Sequence, residues 1–183
     1  LTLLENGMPQ ALADGEFVVY FQPKVRVDTR TLVGAEALIR WKRDGKIISP
    51  ADFIPIAERT GFIMKLDMFV LEHTCAMIKQ WQESGKRTVP VSVNFSKIHL
   101  RFPHLAEKIM NVINRYGIEP HYLEVEFTET AYTDDFNAIK QAIIDLKSYG
   151  LMVSMDDFGT GYSSLALLKD LDFDILKLDK SLA

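Results

Sequence analysis

Apolar positions along this chain switch repeatedly between the roughly 3.6-residue spacing of helices and the two-residue spacing of strands. Leu3, Leu4, Met8 and Leu12 predict a short helix over Leu1 to Gly15. Phe17 to Val27 is rich in β-forming residues, Asp28 to Thr31 reads as a turn, and Leu32 to Trp41 predicts a second strand. So short a link implies an antiparallel hairpin, because parallel strands need a longer crossover. Lys42 to Lys46 reads as a polar turn. Ser49 and Pro50 then mark a helix start, as N-cap and first helical residue, for a helix over Phe53 to Thr60 closed at Gly61. A longer helix over Ile63 to Ser84 carries Leu66, Val70, Leu71, Cys75 and Ile78 as its apolar stripe and stops at Gly85.

Regular alternation follows. Strands are predicted over Val89 to Ser96, Tyr122 to Thr128, Leu151 to Met155 and Asp174 to Leu178. Between them come helices over His104 to Tyr116, Asp135 to Tyr149 and, after the glycine-containing loop Phe158 to Tyr162, Ser163 to Leu171. Strands alternating with amphipathic helices imply right-handed βαβ units and a parallel sheet.

Polar residues at the strand ends choose between an open doubly wound sheet and a barrel. Glu36, Asn94, Glu126, Asp156 with Asp157, and Lys177 each stand near the C-terminal end of a different strand. Barrel strands converge on one face, whereas an open sheet would spread such residues over its width. The expected fold is therefore α/β, a TIM-type (β/α)8 barrel with an antiparallel first strand. That fold typically takes about 250 residues. Only six strands are predicted in the 183 residues here, so the last two are expected to fall outside the sequence. A single domain over residues 1–183 is expected, with an N-terminal helix over 1–15 and barrel strands over 17–183.

Composition narrows the options. With 48% hydrophobic and 25% charged residues the chain is an ordinary globular one, and its net charge of −4 gives no general reason to bind polymeric nucleic acid. One cysteine, Cys75, excludes an internal disulfide and a cysteine-based zinc site, and fits a cytoplasmic setting. No apolar run approaches the roughly 20 residues of a membrane span, and no signal peptide is visible. The chain opens on Leu1 and reads as an excerpt of a longer protein, whose other parts could carry sensor or membrane segments.

On the strand Gly34 to Trp41, Glu36, Leu38 and Arg40 share one face and Ala35, Ala37, Ile39 and Trp41 the other. Either Glu36 and Arg40 form an internal ion pair, or the face offers a metal-binding carboxylate, an apolar wall and a basic clamp for phosphate. Asp156 and Asp157 read equally as a turn pair or as ligands, and Lys177 could pair with Asp179 or Asp157. Together, several hard oxygen donors from separate strands suit two Mg²⁺ or Mn²⁺ ions bridged by Asp156 beside a phosphate. Glu124 shares a face with Glu126 and ranks lower as a ligand because it lies deeper. His73, with no partner at ligand spacing, reads as a surface or satisfied histidine.

The runs EAL at Glu36 to Leu38 followed by RW, VNFS at Val93 to Ser96, EFTE at Glu126 to Glu129, DDFGTGYSS at Asp156 to Ser164 and KLDKS at Lys177 to Ser181 resemble the EAL-domain family of cyclic di-GMP phosphodiesterases. The resemblance implies Mg²⁺- or Mn²⁺-dependent hydrolysis of cyclic di-GMP to linear pGpG in bacterial signalling. It likens Glu36, Asn94, Glu126 and Asp156 to the family's metal ligands, Asp157 to the second-metal ligand and Lys177 to the water-positioning lysine. Glu129 matches the loop-anchoring glutamate, and Gln22, Leu38 and Arg40 match substrate contacts. A homodimer joined near the Asp157 to Ser164 loop, with further signalling domains in the same chain, is also implied. Two departures stand out: RWKRDG lacks the family's usual proline after RW, and a last site glutamate and a substrate-contacting glutamine would lie beyond Ala183. Activity is therefore expected of the full-length parent. A receptor that binds cyclic di-GMP without cleaving it, or a regulatory dimerisation domain, is the alternative.

Overall fold

The computed structural model describes residues 2–128, 131, 136–159 and 171–179. After helix α1 (Thr2–Ala13), strands β1 (Phe17–Val25) and β2 (Leu32–Arg43) form the expected antiparallel hairpin, with Phe17 opposite Trp41 and Gln22 opposite Glu36. The expected turn at Lys42 to Lys46 is instead a second hairpin. Strand β2 continues to Arg43, and β3 (Lys46–Ile48) folds back on it. Asp44 (φ 51°) and Gly45 (φ 72°) both adopt positive φ. A two-residue Asp-Gly turn of that hand matches the twist of the strands it joins.

Helices α2 (Pro50–Thr60) and α3 (Ile63–Glu83) follow, meeting at Gly61. Ser49 occupies the N-cap position of α2, although its hydroxyl makes no capping bond. The chain then alternates through β4 (Val91–Asn94), α4 (Leu105–Tyr116), β5 (Leu123–Thr128), α5 (Phe136–Ser148), β6 (Met152–Phe158) and β7 (Ile175–Leu178). The sheet order is β1-β2-β4-β5-β6-β7, parallel from β2 onward. It is thus a mixed α/β sheet with seven described strands, one more than the sequence suggests, and β1 and β7 are not paired with each other among the described residues. Most of the expected helix Ser163 to Leu171 lies outside the described residues, as do Glu129 and the start of the helix expected from Asp135.

One face of the sheet is sealed by helices. Val91, Val93, Val125, Phe127, Val153 and Met155 pack with the apolar stripes of α3, α4 and α5. A second cluster joins α1, the first hairpin, α2 and the start of α3. Its centre is an aromatic trio, Phe17 stacked on Trp41 at 5.0 Å and Phe53 edge-on to both at 5.7 Å. Trp41 is fully buried, and its indole N–H donates to Glu16 Oε2 at 2.7 Å. Truncating Trp41 to alanine leaves a large cavity and is expected to cost about 3–5 kcal/mol of stability. Chemical denaturation checks this: a loss below about 0.5 kcal/mol, the range of a surface substitution, would deny this cluster a part in holding the fold.

Candidate functional site

The other face of the same strands carries polar side chains. Parallel register sets Asn94 beside Glu126 and Thr128 beside Asp156, while Glu36 lies beside Ser92. Single side chains from five strands meet there. Lys177 Nζ lies 3.2 Å from both Glu36 Oε2 and Asp156 Oδ2 and donates to Glu126 Oε1. Asn94 Nδ2 donates to Glu36 Oε1 at 3.1 Å. Carboxylate oxygens of Glu36, Glu126 and Asp156 all lie within 4.8 Å of one another.

This geometry resolves two alternatives. Glu36 bonds to Asn94 and Lys177, while Arg40 donates to its neighbour's carbonyl, Ile39 O, at 2.8 Å and sits over the Tyr20 ring, so the two do not pair. For Lys177, where the sequence left open a pair with Asp179 or Asp157, the geometry gives Glu36, Glu126 and Asp156 as partners.

Three carboxylates around one ammonium leave an excess of negative charge in a desolvated place. Burial pushes the Glu126 carboxyl up to about 7, its hydrogen bond with Asp156 pushes the same way, and Lys177 opposes both. Burial would also raise Asp156, but the hydrogen bond with Glu126 and the charge of Lys177 take it below the ordinary carboxylate range. Lys177 moves up despite its burial, because the hydrogen bond to Glu126 and the surrounding carboxylates favour the ammonium. The second oxygen of Glu126, Oε2, is buried with no hydrogen-bond partner. A fully buried carboxylate oxygen without a donor is costly, and a cation would relieve it. The donors are hard oxygens on strands, and that set fits a hard divalent cation.

Asp157 stands apart from the trio. Strand β6 does not end at Met155 as expected but runs on through both aspartates, with a register break against β7 between Met155 and Phe158. Asp157 is exposed and left-handed (φ 56°), a conformation aspartate tolerates better than most residues. Its carboxyl is raised by burial first and then by Asp156 and Asp179. Adjacent strand residues point to opposite faces, so a bulge is the available device for re-aiming one of them.

Leu38 and Arg40 line a cavity of about 250 Å³ with Ile54, Asp67, Asn94 and Thr128, beside the carboxylate trio at the C-terminal ends of β2, β4 and β5. Gln22 is exposed on β1 directly opposite Glu36. Glu124 is buried and bound to Lys24 Nζ at 3.2 and 3.3 Å, in keeping with its lower rank as a ligand. His73 is exposed, its Nδ1 3.0 Å from Phe69 O. Two buried groups escaped sequence reasoning, Asp67 and His99, whose Oδ2 and Nε2 lie 3.0 Å apart. The signal available was an aspartate set between Leu66 and Val70 on the apolar stripe of α3.

A family model described as EAL domain matches residues 5–183. The chain is 38% identical over 179 residues to an uncharacterized signaling protein of Caulobacter vibrioides, covering 97% of this chain and 22% of that protein. It is 35% identical over 178 residues to the bifunctional diguanylate cyclase/cyclic di-GMP phosphodiesterase MucR of Pseudomonas aeruginosa, covering 97% of this chain and 26% of MucR. The chain thus spans about a quarter of the length of these curated relatives. The solved PaMucR phosphodiesterase in complex with c-di-GMP superposes with a TM-score of 0.91 at 34% identity, over 98% of this chain and 73% of that one.

Proposed function

Because the chain belongs to the EAL domain family, we propose that it is a metal-dependent phosphodiesterase that hydrolyses cyclic di-GMP to linear pGpG. The observation that carries this reading is the convergence of Glu36, Glu126 and Asp156 within 4.8 Å, with Glu126 Oε2 buried and without a donor. The named activity of MucR and the c-di-GMP complex of its phosphodiesterase support the substrate.

Glu36, Asn94, Glu126 and Asp156 would hold one Mg²⁺ or Mn²⁺, and Asp157 would join Asp156 in holding a second. A divalent ion in such a place supplies charge stabilisation for the oxygens at phosphorus during an in-line displacement. Lys177 keeps its proton, because three carboxylates favour the ammonium. It therefore acts as a donor that orients the attacking water rather than as a base. Arg40 offers a guanidinium to a phosphate, Leu38 an apolar wall for a base, and Gln22 a polar contact across the hairpin from Glu36. Asn94, by donating to Glu36 Oε1, fixes the direction of that carboxylate.

In this reading residues 1–183 are one EAL domain, its barrel completed by strands additional to those described. Attached signalling domains, a homodimer and a cytoplasmic setting belong to the same proposal, in line with the greater length of the relatives. No helix among the described residues is long and apolar enough to cross a membrane.

The test is hydrolysis of cyclic di-GMP by the full-length protein with Mg²⁺, with Mn²⁺ and with excess chelator, following pGpG by chromatography. Metal-dependent pGpG is expected, with turnover lost on chelation and restored by added metal. Tight binding of the dinucleotide without product would make the domain a receptor and overturn the enzymatic reading.

A further inference from the structure

We propose that Asp67 and His99 form a buried positioning pair that fixes the turn after β4 and, through it, the aim of Asn94 into the carboxylate cluster. The inference rests on the phosphodiesterase reading and concerns how its site is held in place. Asp67 belongs to α3 and is 7% exposed, flanked on its buried stripe by Ile63, Leu66, Val70 and Leu71. Packing alone gives no reason for a carboxylate there, since an unpaired buried charge is disfavoured.

Its Oδ2 is spent on the segment that follows Asn94. Asp67 Oδ2 accepts from the Ser96 backbone N–H at 3.0 Å and lies 3.0 Å from His99 Nε2. His99 is 3% exposed on the short helix Lys97–Arg101, its ring edge-on to Phe95 at 5.1 Å. The intervening residues are tied from other directions. Phe95 N–H donates to Glu126 O at 2.9 Å, and Ser96 Oγ donates to Glu58 Oε1 at 3.0 Å. Residues 94–96 are thus pinned between β5, α2 and α3, and Asp67 supplies the only one of these anchors that is buried and ionisable. The Asn94 amide, which meets Glu36 Oε1 at 3.1 Å, inherits its direction from that turn. Neither Asp67 nor His99 belongs to the carboxylate trio, so both act through Asn94.

Mn²⁺ binding to metal-stripped full-length protein, read from the free-ion electron paramagnetic resonance signal, tests this independently of turnover. Asp67→Ala is expected to weaken Mn²⁺ about 10-fold or more, the range seen when groups that orient metal ligands are removed. It should also lower kcat; KM does not discriminate, because Asp67 lines the same cavity as Leu38 and Arg40, and the Mn²⁺ affinity decides. Asp67→Asn should recover most of both, since an amide oxygen in the place of Oδ2 still accepts from Ser96 N–H and still faces His99 Nε2. If Asp67→Ala lowers the melting temperature yet binds Mn²⁺ like wild type, the pair is only structural and the proposal falls. Should that variant not fold, His99→Leu decides: weaker Mn²⁺ supports the pairing, and wild-type affinity overturns it. Wild-type protein that binds Mn²⁺ without turning over cyclic di-GMP overturns the enzymatic reading alone, and the Mn²⁺ comparison still decides the pair. Wild-type protein that binds no Mn²⁺ overturns both.

Discussion

Replacing Glu36 by alanine is expected to abolish cyclic di-GMP hydrolysis while leaving the protein folded. Glu36 sits where β2 reaches the cluster, only half-buried, and its carboxylate is one of three oxygen donors within 4.8 Å. Its methylene groups take no part in either apolar cluster. Removal therefore subtracts charge and a ligand and leaves little void. A fall of at least about 1,000-fold in kcat corresponds to roughly 4 kcal/mol of lost transition-state stabilisation, which one metal ligand can supply. The melting temperature without metal should change little, because one carboxylate fewer also relieves repulsion around Glu126. Steady-state kinetics with a thermal melt of the same preparation check both halves. Normal kcat would sink the assignment of Glu36 to the metal, and loss of the native melt would make the inactivity uninformative about chemistry.

The second large effect is expected at Lys177. Substitution by methionine keeps the length of the side chain and removes the one cation that, among the described residues, pairs with Glu36, Glu126 and Asp156. Breaking a buried ion pair by deleting one partner generally costs about 3–5 kcal/mol. Here the cost should fall toward or below the lower end, because Glu126 already titrates near 7 and can take up a proton in place of the lost ammonium. The informative result is differential. Added Mn²⁺ should raise the melting temperature of Lys177→Met more than that of wild type, since the ion then neutralises charge that Lys177 no longer balances. Hydrolysis should nonetheless fall by about 100-fold or more, as it does when a preorganised donor to the reacting oxygens is removed. Equal Mn²⁺ shifts in variant and wild type would show that Lys177 does not balance the trio, and undiminished turnover would remove it from the chemistry.

Much of this arrangement is legible in the residues alone, for stated physical reasons. Alternation on β2 separates Glu36, Leu38 and Arg40 from the buried Ala35, Ala37 and Trp41, and the carboxylates recur at strand ends because a sheet of parallel strands brings those ends together. Other features were hidden. The sequence offered an internal Glu36 to Arg40 pair, yet four residues along a strand rise about 13 Å, too far for two side chains that project side by side. The Asp44-Gly45 hairpin escaped because β3 is three residues long, too short to display a period. Strand β6 seemed to stop at Met155 because Asp156-Asp157 resembles a turn, when it is a bulged continuation. Asp67 and His99 escaped because they meet only through the tertiary fold, 32 residues apart in sequence.

The five strands that each lend one side chain to the cluster have a consequence for how binding and folding are linked. Glu36 and Lys177 are 141 residues apart yet share a hydrogen bond. No local segment, and no pair of neighbouring strands, contains the cluster. An ion held there binds none of the partly opened forms in which one of these strands has detached, so its binding energy is added to every such opening at once. Amide hydrogen exchange would register this as protection rising by the same factor from β2 to β7 when the ion is added, rather than as a footprint around one loop.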